Sequence, residues 1–260
     1  MPLRKRFGQH FLHDPGVIRR IIETVAPRPG ERIVEVGSGR GALTWALLDR
    51  SKQLDVIEID RDLAADMKND PRASKGLHMH VENVLDTDFS ALRGGGAALR
   101  IVGNLPYNIS TPLMFHLLAQ RDAIIDMHFM LQKEVVERMA ASPGGKDYGR
   151  LTVMLAAYTQ VEHLFDVGPG AFKPPPKVWS AIVRLTPSVK PRFDIGRDGV
   201  LRTLVTAAFC HRRKTLRNGL RGLLSPQQIE NCGINPTLRP EALEPRQFGK
   251  LAAYYSDLSL

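Results

Sequence analysis

Five short apolar runs divide the first half of the chain: RIVEV (32–36), DVIEI (55–59), LHMHV (77–81), LRIV (99–102) and DMHFML (126–131). Between the first two, GALTWALLDR carries helical spacing, and LAADMKND follows the second. Strands that alternate with helices predict a doubly wound, mostly parallel sheet, because parallel neighbours can be joined only by a crossover. Two later runs, VEHLFDV (161–167) and KVWSAIVRLT (177–186), are joined by a Pro/Gly-rich loop. They predict an antiparallel pair at one edge, for about seven strands in all.

The 260 residues are 43% apolar, enough for one large domain and a small one. The composition changes near Val189, which sets an expected boundary between a domain at 1–188 and an all-helical domain at 189–260. In the latter, Ser225, Pro226 and Gln228 read as a helix start, with an N-cap, a proline in the first turn and a glutamine reaching back. Phe248, Leu251 and Tyr255 recur at helical spacing.

The formal charge is +9, which favours a polyanion, nucleic acid before membrane. No acidic residue occurs from Leu201 to Leu224, where HRRKTLRNGLR supplies Arg212, Arg213, Lys214, Arg217 and Arg221. Arg4, Lys5 and Arg6 form a second basic cluster. Such cations grip phosphates and set orientation rather than read bases. The two cysteines, Cys210 and Cys232, have no metal-ligand spacing, so no metal is expected and a reduced, cytoplasmic setting is the simplest reading. The first residues lack the apolar stretch of a signal peptide and no run reaches transmembrane length, so no membrane association is expected.

VEVGSGRGALT (34–44) places glycines just after a strand and before a helix, where backbone can approach a ligand closely. Gly37-x-Gly39-x-x-Ala42 suits a dinucleotide and Gly37-x-Gly39-x-Gly41 suits S-adenosylmethionine (SAM). Roughly 20 residues on, Glu58-Ile59-Asp60 ends the second strand, where an acid accepts ribose hydroxyls of either cofactor.

NLPY (104–107) bears on that choice. The lone pair of an adenine amino nitrogen is delocalised into the ring, and it becomes available when two acceptors take the two hydrogens. The Asn104 amide oxygen and the Leu105 carbonyl are suitable acceptors. Pro106 stiffens that backbone and carries no competing N–H, and Tyr107 offers a stacking face. Phe172, in a proline-stiffened loop, is the candidate for a second wall.

KRFGQHFL (5–12), VEVGSGRGALT, VIEIDRDL (56–63), VGNLPYNISTPL (102–113), MLQKEVVERM (130–139), FKPPPKVWSAIVRL (172–185) and AFCHRRKTLRNGL (208–220) together resemble the ribosomal small-subunit RNA adenine dimethyltransferases, the KsgA family. The resemblance implies a Rossmann-like SAM-methyltransferase sheet and transfer of two methyl groups to N6 of each of two adjacent adenosines near the 3′ end of 16S rRNA. It implies S-adenosylhomocysteine as co-product and action on the small subunit or its precursor in ribosome biogenesis; the sequence shows no obvious dimerisation segment, so a monomer is expected. By motif position it puts Gln9, His10 and Leu12 beside SAM, Gly37 under its amino-acid portion and Glu58 on the ribose, with Ser38, Gly39, Gly41 and Ile59 also in the cofactor site. Asn83, with Val84, would accept from the SAM adenine, Asn104 would lie between both substrates, and Tyr107 and Phe172 would flank the target base.

Four residues depart from that family pattern. His10 stands where Asn is usual; Ser38 replaces a Pro and is expected to loosen the turn; Asn83 replaces an Asp, with Asp86 as an out-of-register alternative acceptor; and Trp179 replaces a common Asp. Three other readings remain: an adenine methyltransferase of large-subunit RNA or of DNA, an assembly factor acting mainly by binding, and a dehydrogenase. The dehydrogenase lacks any recognisable hydride-transfer acid or base after the glycine turn.

Overall fold

The structure is a computed structural model that describes residues 10–210 and 213–258. Its elements run β1 (Phe11–Leu12), α1 (Pro15–Val25), β2 (Ile33–Val36), α2 (Thr44–Ser51), β3 (Leu54–Ile57), α3 (Arg61–Lys68), β4 (Leu77–His80), α4 (Phe89–Arg93), β5 (Leu99–Asn104), α5 (Ser110–Ala119) and β6 (Ile124–Gln132). After these come α6 (Lys133–Met139), α7 (Arg150–Tyr158), β7 (Thr159–Val167), β8 (Phe172–Lys173), β9 (Ser180–Pro187), α8 (Val200–Cys210), α9 (Leu216–Gly219), α10 (Pro226–Asn231) and α11 (Pro245–Leu258).

The main sheet has seven strands in the order β4-β3-β2-β5-β6-β9-β7. β4, β3, β2, β5 and β6 pair in parallel, and β9 joins β6 antiparallel, with Gln132 opposite Ser180. Chain order runs one way from β2 to β4 and then jumps back across β2 to β5. This reversal leaves a crevice beyond the C-terminal ends of β2 and β5, the place where open α/β sheets bind ligands. Gly103 keeps the two strand ends close: a Cβ there would sit 2.6 Å from the Val36 carbonyl oxygen.

The runs that line both faces of the sheet are apolar because helices cover them. Val34, Val56, Ile101 and Phe129 are wholly buried. A second ladder, β1 with β8, pairs Phe11 with Lys173 and Leu12 with Phe172 across a long stretch of sequence. Neither two-residue strand was expected from the sequence pattern.

The chain forms two compact units. The first runs to Val136 and resumes over Glu162–Pro187; the second takes Glu137–Val161 and resumes at Ser188. The second therefore includes α7, upstream of the boundary expected at 188. Within it the Ser225 capping box forms as expected: Ser225 Oγ accepts from Gln228 N–H, and Gln228 Oε1 accepts from Ser225 N–H. Phe248 and Leu251 are fully buried on α11. Tyr148, also in this unit, is buried and donates its hydroxyl hydrogen to the Leu243 carbonyl at 2.7 Å.

Gly103→Ala should push β5 away from β2 and destabilise the fold by about 1–3 kcal/mol, the usual cost of overpacking. A lowered urea midpoint with an unchanged slope checks this; an unshifted midpoint contradicts it.

Candidate active site

The crevice encloses about 1150 Å³, open mouth included. Three strand ends bring its walls together. After β2, Gly37, Gly39 and Gly41 all take positive φ (74°, 54° and 82°), and Gly41 N–H closes the turn on the Ser38 carbonyl at 2.9 Å. Gly37 faces β5: a Cβ on it would lie 3.9 Å from the Asn104 carbonyl oxygen, so a glycine here leaves room between the two strand ends. Gly37, Ser38 and Gly39 line the crevice. Gly41 is not among the lining residues, and a Cβ on it would strike the Trp45 indole.

Glu58, past the end of β3, is 4% exposed and lines the crevice with Ile59. Its Oε2 accepts from Ser38 Oγ at 3.2 Å and Gly39 N–H at 3.0 Å, and its Oε1 accepts from Asp60 N–H at 3.0 Å. Ser38 therefore ties the glycine turn to the acid, where the sequence led us to expect a looser turn. One lone pair of Oε1 is left for a further donor. Asp60 turns away to cap α3, accepting from Asp62 N–H.

Asn83 and Val84 line the crevice beyond β4. Asn83 Oδ1 accepts from Leu85 N–H at 3.1 Å, and its amide nitrogen donates to Asp86 Oδ2 at 3.1 Å. Asp86 itself is not a lining residue.

Asn104 ends β5 and Leu105, Pro106 and Tyr107 follow it, all on the crevice wall. Asn104 Nδ2 donates to the His10 carbonyl at 3.1 Å. A carbonyl can only accept, so this contact settles which end of the amide faces it and leaves Oδ1 without a donor among the described residues. The Leu105 carbonyl likewise accepts no hydrogen bond from them. Tyr107 OH and Ser180 Oγ share a hydrogen bond at 3.0 Å. His10 donates from Nδ1 to the Pro174 carbonyl at 2.8 Å, and its ring lies 5.9 Å from that of Tyr107, tilted by 30°. His10 and Leu12 are both lining residues.

Phe172 is the exception. It is 3% exposed, lies in the apolar core with Leu12, Val102 and Ile182, and is not on the crevice wall. Pairing with Leu12 across the β1–β8 ladder fixes it there, so in this structure the ring beside Tyr107 is that of His10. Gln9, Arg4, Lys5, Arg6 and Arg212 lie outside the described residues. Arg213, Lys214, Arg217 and Arg221 are exposed in the second unit, and no ion pair engages them among the described residues.

Among the lining residues that escaped the sequence reading are Phe11, Glu82 and Glu35. Phe11 packs against Gly39 and lies 4.8 Å beneath the Arg40 guanidinium. Glu35 is 1% exposed, and its Oε2 has no hydrogen-bond partner. Burial pushes its carboxyl up to about 7, and the Glu58 charge adds to the rise while Thr44 opposes it. An acid inside an apolar strand, two residues before the first glycine, was the available signal.

A glycine turn after the first central strand, an acid after the second and paired acceptors at the end of β5 define a methyltransferase of the doubly wound, nucleotide-cofactor class. The residues present fit SAM: its ammonium and sulfonium are cations, and Glu35 offers a buried acceptor that has no donor of its own. The model of the family described as ribosomal RNA adenine dimethylase matches residues 2–257, and the chain belongs to that family of SAM-dependent methyltransferases. A ribosomal RNA small subunit methyltransferase A of Pseudomonas aeruginosa is 54% identical over 255 residues, covering 98% of this chain and 95% of the relative. A protein of the same name from Marinomonas is 51% identical, covering 96% and 94%. Among solved structures, a dimethyladenosine transferase of Plasmodium falciparum superposes with a TM-score of 0.79 at 25% identity, covering 96% of this chain and 99% of that one. The 23S rRNA methyltransferase ErmE gives 0.71 at 25% identity, covering 94% and 99%.

Glu35 generates a pH prediction for the cofactor-free protein. The folded state keeps this proton up to about pH 7, whereas the unfolded chain releases it near the ordinary value of 4.5. Its contribution is full below 4.5 and is lost as pH rises to about 7, a total of about 3 kcal/mol. Glu35→Gln should remove that loss, so urea melts at pH 5 and pH 8 should differ less in the variant than in the wild type. Equal differences would contradict it.

Proposed function

We propose that this chain methylates small-subunit ribosomal RNA, placing two methyl groups on N6 of each of two adjacent adenosines near the 3′ end of 16S rRNA. It would act as a monomer in the cytoplasm during ribosome biogenesis. The carrying observation is the Asn104 amide on the crevice wall: its nitrogen is held by the His10 carbonyl, and its oxygen, like the neighbouring Leu105 carbonyl, has no donor among the described residues.

Those two oxygens would each take one hydrogen of the adenine amino group, biasing its nitrogen toward pyramidal geometry and freeing the lone pair. SAM supplies the electrophilic methyl when bound. Glu58 would hold the ribose through the open lone pair of Oε1, Asn83 and Val84 would meet the adenine, Glu35 would face the cationic end, and Gly37 would leave room for it. His10, Leu12, Ile59 and the Ser38–Gly39 turn would line the cofactor, with Gln9 and Gly41 as outer neighbours. Pro106 would hold the Leu105 carbonyl in place, and Tyr107, fixed by Ser180, would stack on the target base. No side chain needs to act as a base, because the methylated amine is acidic enough to lose its extra proton to water. With Phe172 in the core, the base would rest on Tyr107 alone until Phe172 moved.

RNA phosphates would be met by the basic segment that carries Arg213, Lys214, Arg217 and Arg221, with Arg4, Lys5, Arg6 and Arg212 as further candidates. The small-subunit substrate is favoured over large-subunit RNA because relatives named for the former are 51–54% identical over nearly the whole chain, against 25% for ErmE. Among the described residues, no helix is long and apolar enough to cross a membrane.

Incubation with small-subunit particles and SAM carrying labelled methyl groups should yield dimethyladenosine in 16S rRNA, read by nucleoside mass analysis. Its absence across salt conditions would overturn the proposal. Asn104→Ala should lower turnover by about 100-fold or more, with a smaller change in SAM affinity measured by calorimetry; retained turnover would refute the acceptor role. Arg217→Ala should weaken RNA binding and lower the slope of log affinity against log salt by about one. An unchanged slope would remove Arg217 from the interface.

A further inference from the structure

We propose that Trp179 is a stacking platform for a nucleotide flanking the target adenosine. The proposal rests on the rRNA methyltransferase reading of the neighbouring crevice. Trp179 is 55% exposed, and among the described residues it is the only aromatic side chain among the exposed large hydrophobic residues. An indole left in water forgoes the burial that normally holds such a side chain inside.

Its placement is set by the site itself. The next residue, Ser180, is buried and bonds the Tyr107 hydroxyl. Successive side chains of an extended strand point to opposite faces, so turning Ser180 inward turns Trp179 outward. The Trp179 carbonyl accepts from Lys133 N–H at 2.9 Å, which pins the backbone. On one side the ring is seated close to Gly168, where a Cβ would lie 3.6 Å from it. It is therefore steadied by backbone on one side and open to solvent on the other.

The surroundings suit a polyanion with exposed bases. Lys173 and Lys177 are exposed on the same loop, and no acidic residue occurs from Gly168 to Phe193. Pro174, Pro175 and Pro176 restrict the loop, so little order is lost on binding. Trp179 precedes β9, which lies two strands from β5, about 10 Å across the sheet. That distance is within reach of the nucleotides on either side of a base held at Asn104. Drawing a base into the crevice strips its neighbours of a stacking partner, and an exposed indole restores one without reading sequence.

The test compares Trp179→Leu, which keeps apolar bulk but loses the aromatic face, with Trp179→Phe, which keeps a face. For methyl transfer to small-subunit particles, Trp179→Leu should raise KM for the particle about tenfold, with kcat and SAM affinity unchanged, and Trp179→Phe should recover most of the loss. A single-stranded oligoribonucleotide with two adjacent adenosines should quench tryptophan fluorescence in the wild type but not in Trp179→Leu, where only Trp45 remains. An unchanged KM, a quench that survives in Trp179→Leu or is missing from the wild type, or a KM defect that phenylalanine does not rescue would overturn the proposal. The last result would point to a protein contact. Because the quench needs no turnover, failure of the wild type to make dimethyladenosine would count against the proposed function and leave the platform to be judged on the quench.

Discussion

An asparagine can accept from an amino group only if its amide is held one way round, and the bond from Asn104 Nδ2 to the His10 carbonyl supplies that hold. Several contacts keep His10 in place. The His10 ring is tied to Pro174, and the residues just after it, Phe11 and Leu12, form a ladder with Phe172 and Lys173. The same proline loop ends at Ser180, which fixes Tyr107. One surface loop thus holds both His10, which orients the Asn104 amide, and Tyr107. Neither holding contact is local: 94 residues separate Asn104 from His10, and 73 separate Tyr107 from Ser180.

The two acids of the crevice are treated differently by their surroundings. Glu58 receives three donors, from Ser38, Gly39 and Asp60, and is held as a fixed acceptor. Glu35 is as deeply buried but has one oxygen without a donor, and the Glu58 charge further disfavours its ionisation. A cation entering the crevice would reverse that penalty, since it offers the charge that the buried carboxyl lacks. The arrangement suits a ligand that carries positive charge and hydroxyl donors together.

The sheet was legible in the sequence because both faces of its central strands are covered, which makes them continuous apolar runs bounded by turns. The crevice was legible because the glycine turn, the acid at Glu58 and the NLPY segment each sit just after such a run. The Ser225 helix start was legible because a capping box is a local hydrogen-bond pattern. Phe172 misled for the opposite reason. A phenylalanine beside three prolines looks like a displayed ring, and its burial comes from a pairing with Leu12 that no local pattern announces. The grouping of Glu137–Val161 with the second unit is hidden in the same way, because a helix between two strands reads as a crossover of the sheet.

Three of the four residues that depart from the family pattern gain a specific partner within the chain. Ser38 bonds Glu58, replacing the stiffness of a proline with a side-chain tie across the crevice. His10 reaches the Pro174 carbonyl from its ring, and its backbone carbonyl orients Asn104. At Asn83 the lost carboxylate is partly made up three residues on. Asp86 takes the Asn83 amide hydrogen, so the amide oxygen is turned the other way, toward Leu85 N–H, with a lone pair to spare. Asp86, three residues out of register and off the crevice wall, thus sets the orientation of the Asn83 amide. Trp179 differs from these three: its indole has the Gly168 backbone on one side and solvent on the other, which leaves one face open to the nucleotide proposed above.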